Sequence, residues 1–188
     1  MIRRWILAVG AAAALGFLTL PVTPTFSLAP VSSFFDYDVS AAAACDADAK
    51  PAPLDYTLRD VSGDEVDLAS YKGNVILLNF WATWCGHCRA EVPNIQENYE
   101  RYNDQGFEVV SVSIDRDIDR LRQYLKRDPT PWINLADNHP RLKNSLTRQY
   151  GINSVPVSIL IGRDGNVISL RCRGDELDNH LSSLFAKN

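Results

Sequence analysis

Cys85 and Cys88 stand two residues apart in the run Trp84-Cys85-Gly86-His87-Cys88, a spacing suited to dithiol–disulfide chemistry. If the first cysteine opens a helix, the two side chains approach across one turn. The first sulfur then lies where helix N–H groups lack partners and the helix dipole is positive. Such surroundings lower a cysteine pKa from about 8.5 to near or below 7. Cys85 is therefore expected to be the attacking thiolate. Cys88, one turn further in, is expected to be the resolving thiol that releases a mixed disulfide. His87 lies between them, and an imidazolium there would stabilise the thiolate further and make the couple more oxidising.

Metal binding is the main competing use of a CxxC. Zinc needs four ligands. There is no second CxxC, and His139 and His180 stand alone on polar segments. Copper delivery would need further soft ligands, and Met1 is the sole methionine. The expectation is therefore no metal and no other cofactor. Asp115, Asp117 and Asp119 read as residues that cap and solvate a helix beginning near Ile118 rather than as ligands. The remaining cysteines, Cys45 and Cys172, could pair, although two independent thiols are slightly favoured, since sequence cannot set their distance.

The chain has 188 residues, 46% of them hydrophobic, enough for one domain with a real core. Net charge is −4 with basic residues scattered, so nucleic-acid binding is not expected. Arg3 and Arg4 precede an uncharged apolar stretch from Trp5 to Leu20, the pattern of a secretory signal or N-terminal membrane anchor. Residues 1–29 are assigned to that segment, and either form takes the domain out of the cytosol. Residues 30–53, rich in Ala, Pro, Ser and Asp, read as a flexible linker. Residues 54–188 form the folded domain.

The elements that must position the cysteines follow in order. Short runs at 55–59 and 65–68 around Gly63 predict a β-hairpin. Asn74 to Trp81 is a nearly continuous apolar run, which suits a central strand covered on both faces. Val92, Ile95 and Tyr99 recur at helical spacing from Cys88 to about Asn103. Phe107 to Ile114 predicts a second buried strand. Ile118, Leu121, Tyr124 and Leu125 mark a short helix that Pro129 and Pro131 end. Leu142, Leu146 and Tyr150 mark another, with Gly151 as its cap. Strands at 156–161 and 166–171 join through Arg163-Asp164-Gly165. Leu177, Leu181, Leu184 and Phe185 line a last helix. The pattern indicates an α/β fold: a mixed sheet with helices on both faces.

The stretch Asn79-Phe-Trp-Ala-Thr-Trp-Cys85-Gly-His-Cys88-Arg-Ala-Glu91-Val-Pro93 resembles the active-site region of the thioredoxin superfamily. It is most similar to the TlpA/ResA-like branch of exported thiol–disulfide oxidoreductases, and the likeness extends from about Leu54 to the C-terminus. It implies a thioredoxin-like fold with an added N-terminal β-hairpin. It also implies that Pro156 is held in cis facing the CxxC, with the Val155 backbone offered to a substrate strand. Glu91 would lie near the thiols and influence their proton balance. Asn79 replaces the buried acid of thioredoxins proper, which removes their usual proton acceptor and strengthens the case for Glu91. Pro93 matches a proline that bends the active-site helix. Trp84 would flank the site, whereas Trp81 reads as core.

Together these imply disulfide exchange, more readily as a reductase fed by a membrane electron donor. The substrates would be proteins carrying disulfides or thiols, with apocytochromes c as the target class that the likeness suggests. The Gly-His dipeptide leaves the direction open. Protein disulfide isomerase shares it and works near about −180 mV, against about −270 mV for thioredoxin. Two alternatives stand beside this reading. A peroxiredoxin-type peroxidase typically has threonine three residues before its reactive cysteine, where this chain has Ala82. A non-enzymatic docking module of the same fold would need neither cysteine.

Overall fold

The structure, a computed structural model, describes residues 50–137 and 145–186. The expected export segment at 1–29, Cys45, His139, Leu142 and most of the expected linker lie outside the described residues. No helix among the described residues is long and apolar enough to cross a membrane.

Among the described residues there are seven strands and four α-helices. They are β1 (Thr57–Asp60), β2 (Glu65–Asp67), β3 (Val75–Trp81), α1 (Gly86–Tyr102), β4 (Phe107–Ser113), α2 (Ile118–Arg127), β5 (Ile133–Ala136), α3 (Leu146–Gln149), β6 (Val157–Ile161), β7 (Val167–Ser169) and α4 (Asp175–Phe185). The strands form one mixed sheet in the order β2-β1-β5-β4-β3-β6-β7. β3, β4 and β5 run parallel, whereas β6 pairs antiparallel with β3 and β1 pairs antiparallel with both β2 and β5.

Every residue of β3 is buried, as its unbroken apolar run predicts for a strand covered on both faces. Val75 and Leu77 pack with Ile95 of α1 and with Leu177, Leu181 and Phe185 of α4. Ile76, Leu78 and Phe80 point to the other face, against Leu146 and Tyr150. The period-two alternation of a strand thus places α1 and α4 on one side and the α3 segment on the other. A third cluster joins Trp81, Ala82, Cys85 and Cys88 to Leu121 of α2, at the end of β3.

β5 was not expected. Its run is only four residues long, follows two prolines and contains Asn134, so its strand character comes from pairing with β4 and β1 rather than from local pattern. In addition, Lys50 to Ala52 are paired to the β6–β7 turn. Ala52 N–H donates to Gly165 O at 2.8 Å, and Val167 N–H donates to Lys50 O at 3.0 Å.

Candidate active site around the Cys85–Cys88 pair

β3 delivers the chain to the site, and α1 starts it again. After Trp81 the chain passes through Ala82, Thr83 and Trp84, and Cys85 is the N-cap of α1 with extended backbone. Its Sγ accepts a hydrogen bond from Cys88 N–H at 3.1 Å. Cys85 and Cys88 are joined in a disulfide, with Cα atoms 5.3 Å apart. Both are nearly buried, whereas Trp84, Gly86 and His87 around them are exposed. The helix N-terminus therefore presents its unpartnered N–H groups beside Cys85, the arrangement that stabilises a sulfur anion when the bond is reduced.

The loop before the disulfide is clamped from below. Asp115, just past β4, is buried, and its carboxylate accepts from Thr83 N–H at 2.8 Å and from the Thr83 hydroxyl at 2.7 Å. The Ser113 hydroxyl adds a third bond at 2.7 Å. This corrects the expectation that Asp115 belongs to a solvated capping cluster. Asp117 alone caps α2, accepting from Asp119 N–H at 3.0 Å and Arg120 N–H at 3.2 Å. Nothing local in the sequence separates the two aspartates. Only the end of β4, lying parallel to β3, brings Asp115 under Thr83.

The Val155–Pro156 bond is cis. Val155 packs against the cluster that holds both cysteines, so this loop lies beside the disulfide. Residues 151–157, Arg171 and Arg173 line a cavity of about 320 Å³. Glu91 is half-buried, and its Oε2 accepts from Gly174 N–H at 3.3 Å. That bond ties α1 to the N-terminus of α4 rather than to either sulfur. α1 continues through the exposed Pro93. His87 is solvent-exposed, where the field of an imidazolium is screened.

Asn79 is buried in β3 opposite Ser111 of β4 and Ser158 of β6. Its Nδ2 donates to Ser111 Oγ at 3.4 Å, and its Oδ1 accepts from Ser158 at 3.2 Å. Trp132 Nε1 also donates to Ser111 Oγ, at 2.8 Å. Trp81 is core, edge-on to Tyr124 of α2 with ring centroids 5.5 Å apart. Burial raises the Tyr124 phenol above its ordinary value. The Asp128 carboxylate adds to the effect, and Arg89 and Arg127 oppose it. Cys172 is fully buried among the α1 and α4 contacts, and Cys45, with which it could pair, lies outside the described residues.

A disulfide at the N-terminus of the helix following a central strand, beside a cis-proline loop on a mixed sheet, defines a thioredoxin-superfamily thiol–disulfide oxidoreductase. The chain belongs to the AhpC/TSA family, whose model matches residues 49–170. It is similar to the thiol-disulfide oxidoreductase ResA of Bacillus thuringiensis, with 28% identity over 73% of this chain and 76% of the relative. ResA of Geobacillus thermodenitrificans is 29% identical over 69% of this chain and 74% of its own length. Among solved structures, a putative thiol:disulfide interchange protein DsbE from Chlorobium tepidum superposes with a TM-score of 0.64 at 30% identity. That match covers 74% of this chain and 97% of the other. The thioredoxin domain of a Bacteroides vulgatus thiol-disulfide oxidoreductase gives a TM-score of 0.66 at 28% identity, covering 73% and 97%.

Proposed function

We propose that the chain acts outside the cytosol as a protein-disulfide reductase, re-reduced by a membrane electron donor. The observation that carries the proposal is the placement of Cys85 at the α1 N-cap against the Val155–Pro156 loop. A substrate strand laid along Val155 would bring its own disulfide to Cys85. The Cys85 thiolate attacks one substrate sulfur and forms a mixed disulfide. Cys88 then attacks Cys85, releases the reduced substrate and leaves the Cys85–Cys88 disulfide. Trp84, 56% exposed, gives the approaching chain an aromatic surface. His87 lines the same rim. The charge of Glu91, three residues beyond Cys88, biases the proton balance of the pair.

The location rests on Arg3, Arg4 and the apolar stretch from Trp5 to Leu20. A dithiol enzyme outside the cytosol has no soluble reductant pool, hence the membrane donor. Apocytochromes c are the substrate class proposed. The test is covalent capture. Cys88→Ala removes the resolving thiol, so substrates should accumulate as mixed disulfides on Cys85 and be released by dithiothreitol. Captured apocytochrome c supports the proposal. A Cys88→Ala protein that captures nothing, while the wild type consumes hydrogen peroxide, would move the assignment to a peroxidase.

A further inference from the structure

Cys88 must lose a proton before it can attack, and the wall behind it offers no carboxylate at the position of Asn79. That wall belongs to a cavity of about 300 Å³ whose lining includes Cys88, Asn79, Trp81, Ser111, Thr130 and Asn134, together with the titratable Tyr124 and the exposed Arg127 and Asp128. Two of its lining side chains carry a buried polar atom with no hydrogen-bond partner among the described residues: Trp81 Nε1, a donor, and Asn134 Oδ1, an acceptor. Trp81 is 4% exposed and Asn134 7%. Buried polar groups that find no protein partner are characteristically satisfied by ordered water. A water occupies about 30 Å³ of liquid, so the cavity has room for several. Asn79, Ser111 and Trp132 add a hydrogen-bonded polar wall.

We infer that this cavity is a hydration site that accepts the Cys88 proton and passes it to bulk solvent past Thr130. In the resolving step, the Cys88 S–H proton goes to a cavity water. The Cys88 sulfur then forms a bond to Cys85 Sγ while the Cys85–substrate S–S bond breaks, and the substrate leaves as a thiolate. Glu91, hydrogen-bonded to Gly174 N–H, is not the carrier. The buried part of the wall (Asn79, Ser111 and Asn134) is uncharged, and the charged lining residues Arg127 and Asp128 are exposed, so the buried wall acts by holding water against the thiol.

The full-length reduced protein, mixed with 5,5′-dithiobis(2-nitrobenzoate), reports both steps in one stopped-flow trace. Cys85 releases the first thionitrobenzoate, and Cys88 releases the second. Asn134→Leu removes a polar wall group and adds apolar bulk. Val92→Phe fills the cavity from α1 and leaves every polar group in place. Both variants should slow the second phase on the order of a hundredfold, the low end of a lost acid–base contribution, and leave the first phase at the wild-type rate. If Asn134→Leu does not fold, Val92→Phe decides alone. A second phase at the wild-type rate overturns the inference, as does equal slowing of both phases. So does a Glu91→Gln variant that slows the second phase when the cavity variants do not. Loss of the first phase in the wild type would instead strike at the exchange chemistry itself.

Discussion

Asp115 gives the sharpest test of how the fold holds the redox loop. Its buried carboxylate accepts three hydrogen bonds, two of them from Thr83, the residue two before Cys85. Hydrogen bonds to a charged group contribute about 1.5–3 kcal/mol each, but the hydroxyls of Thr83 and Ser113 can turn to other partners after a truncation. The Thr83 N–H cannot. Asp115→Ala should therefore cost about 3 kcal/mol, most of it from the stranded N–H and the cavity left behind. For a chain of this size, that lowers the thermal midpoint by roughly 6–12 °C. Asp115→Asn separates geometry from charge. Its amide oxygen can still accept from Thr83 N–H and Ser113, while its NH₂ faces the Thr83 hydroxyl, which can accept. That variant should lose about 1 kcal/mol. Calorimetry of the oxidised proteins measures both, and iodoacetamide alkylation of reduced Cys85 reports whether the loop keeps its shape. An Asp115→Ala midpoint within about 2 °C of the wild type would refute the clamp.

Trp84→Ala removes an exposed side chain and should leave stability within about 0.5 kcal/mol. It should also raise KM for a protein disulfide about tenfold, as the loss of an aromatic anchor does, whereas an unchanged KM would mean that the ring does not touch substrate. Burial raises the Glu108 carboxyl above its ordinary value, so the folded state binds that proton more tightly than the unfolded chain does. The folded-state penalty therefore grows as the pH rises from about 4.5 through the raised pKa. Glu108→Gln should gain stability relative to the wild type between pH 4 and pH 7 in paired thermal melts. A constant difference across that range would contradict the assignment.

The chemistry was legible in the sequence where one short segment carries it. Cys85, Cys88 and Trp84 lie on a single strand-to-helix turn, so spacing alone placed them together. The central strand was equally plain, because burial on both faces demands an unbroken apolar run. Two kinds of feature were hidden. β5 takes its conformation from pairing with distant strands, and its four residues carry no period of their own. The second kind depends on which strand ends meet. Asp115 looked like a neighbour of Asp117, yet the parallel pairing of β3 and β4 sets it under Thr83. Asn79 was read as the loss of an acid. Its setting between Ser111 and Ser158, on the wall of a polar cavity, is a property of three strands at once. The family likeness implies Glu91 beside the thiols, whereas its hydrogen bond to Gly174 depends on where α4 begins.

The central claim is a two-electron dithiol couple at Cys85 and Cys88 poised to reduce other proteins. Its most direct measurement is the reduction potential of that couple, by equilibration with glutathione or dithiothreitol buffers and quantification of the Cys85–Cys88 disulfide. The account predicts a single two-electron transition between about −180 and −270 mV, absent in Cys85→Ser. A potential above about −150 mV would contradict it, because such a couple donates its disulfide to substrates instead of taking theirs.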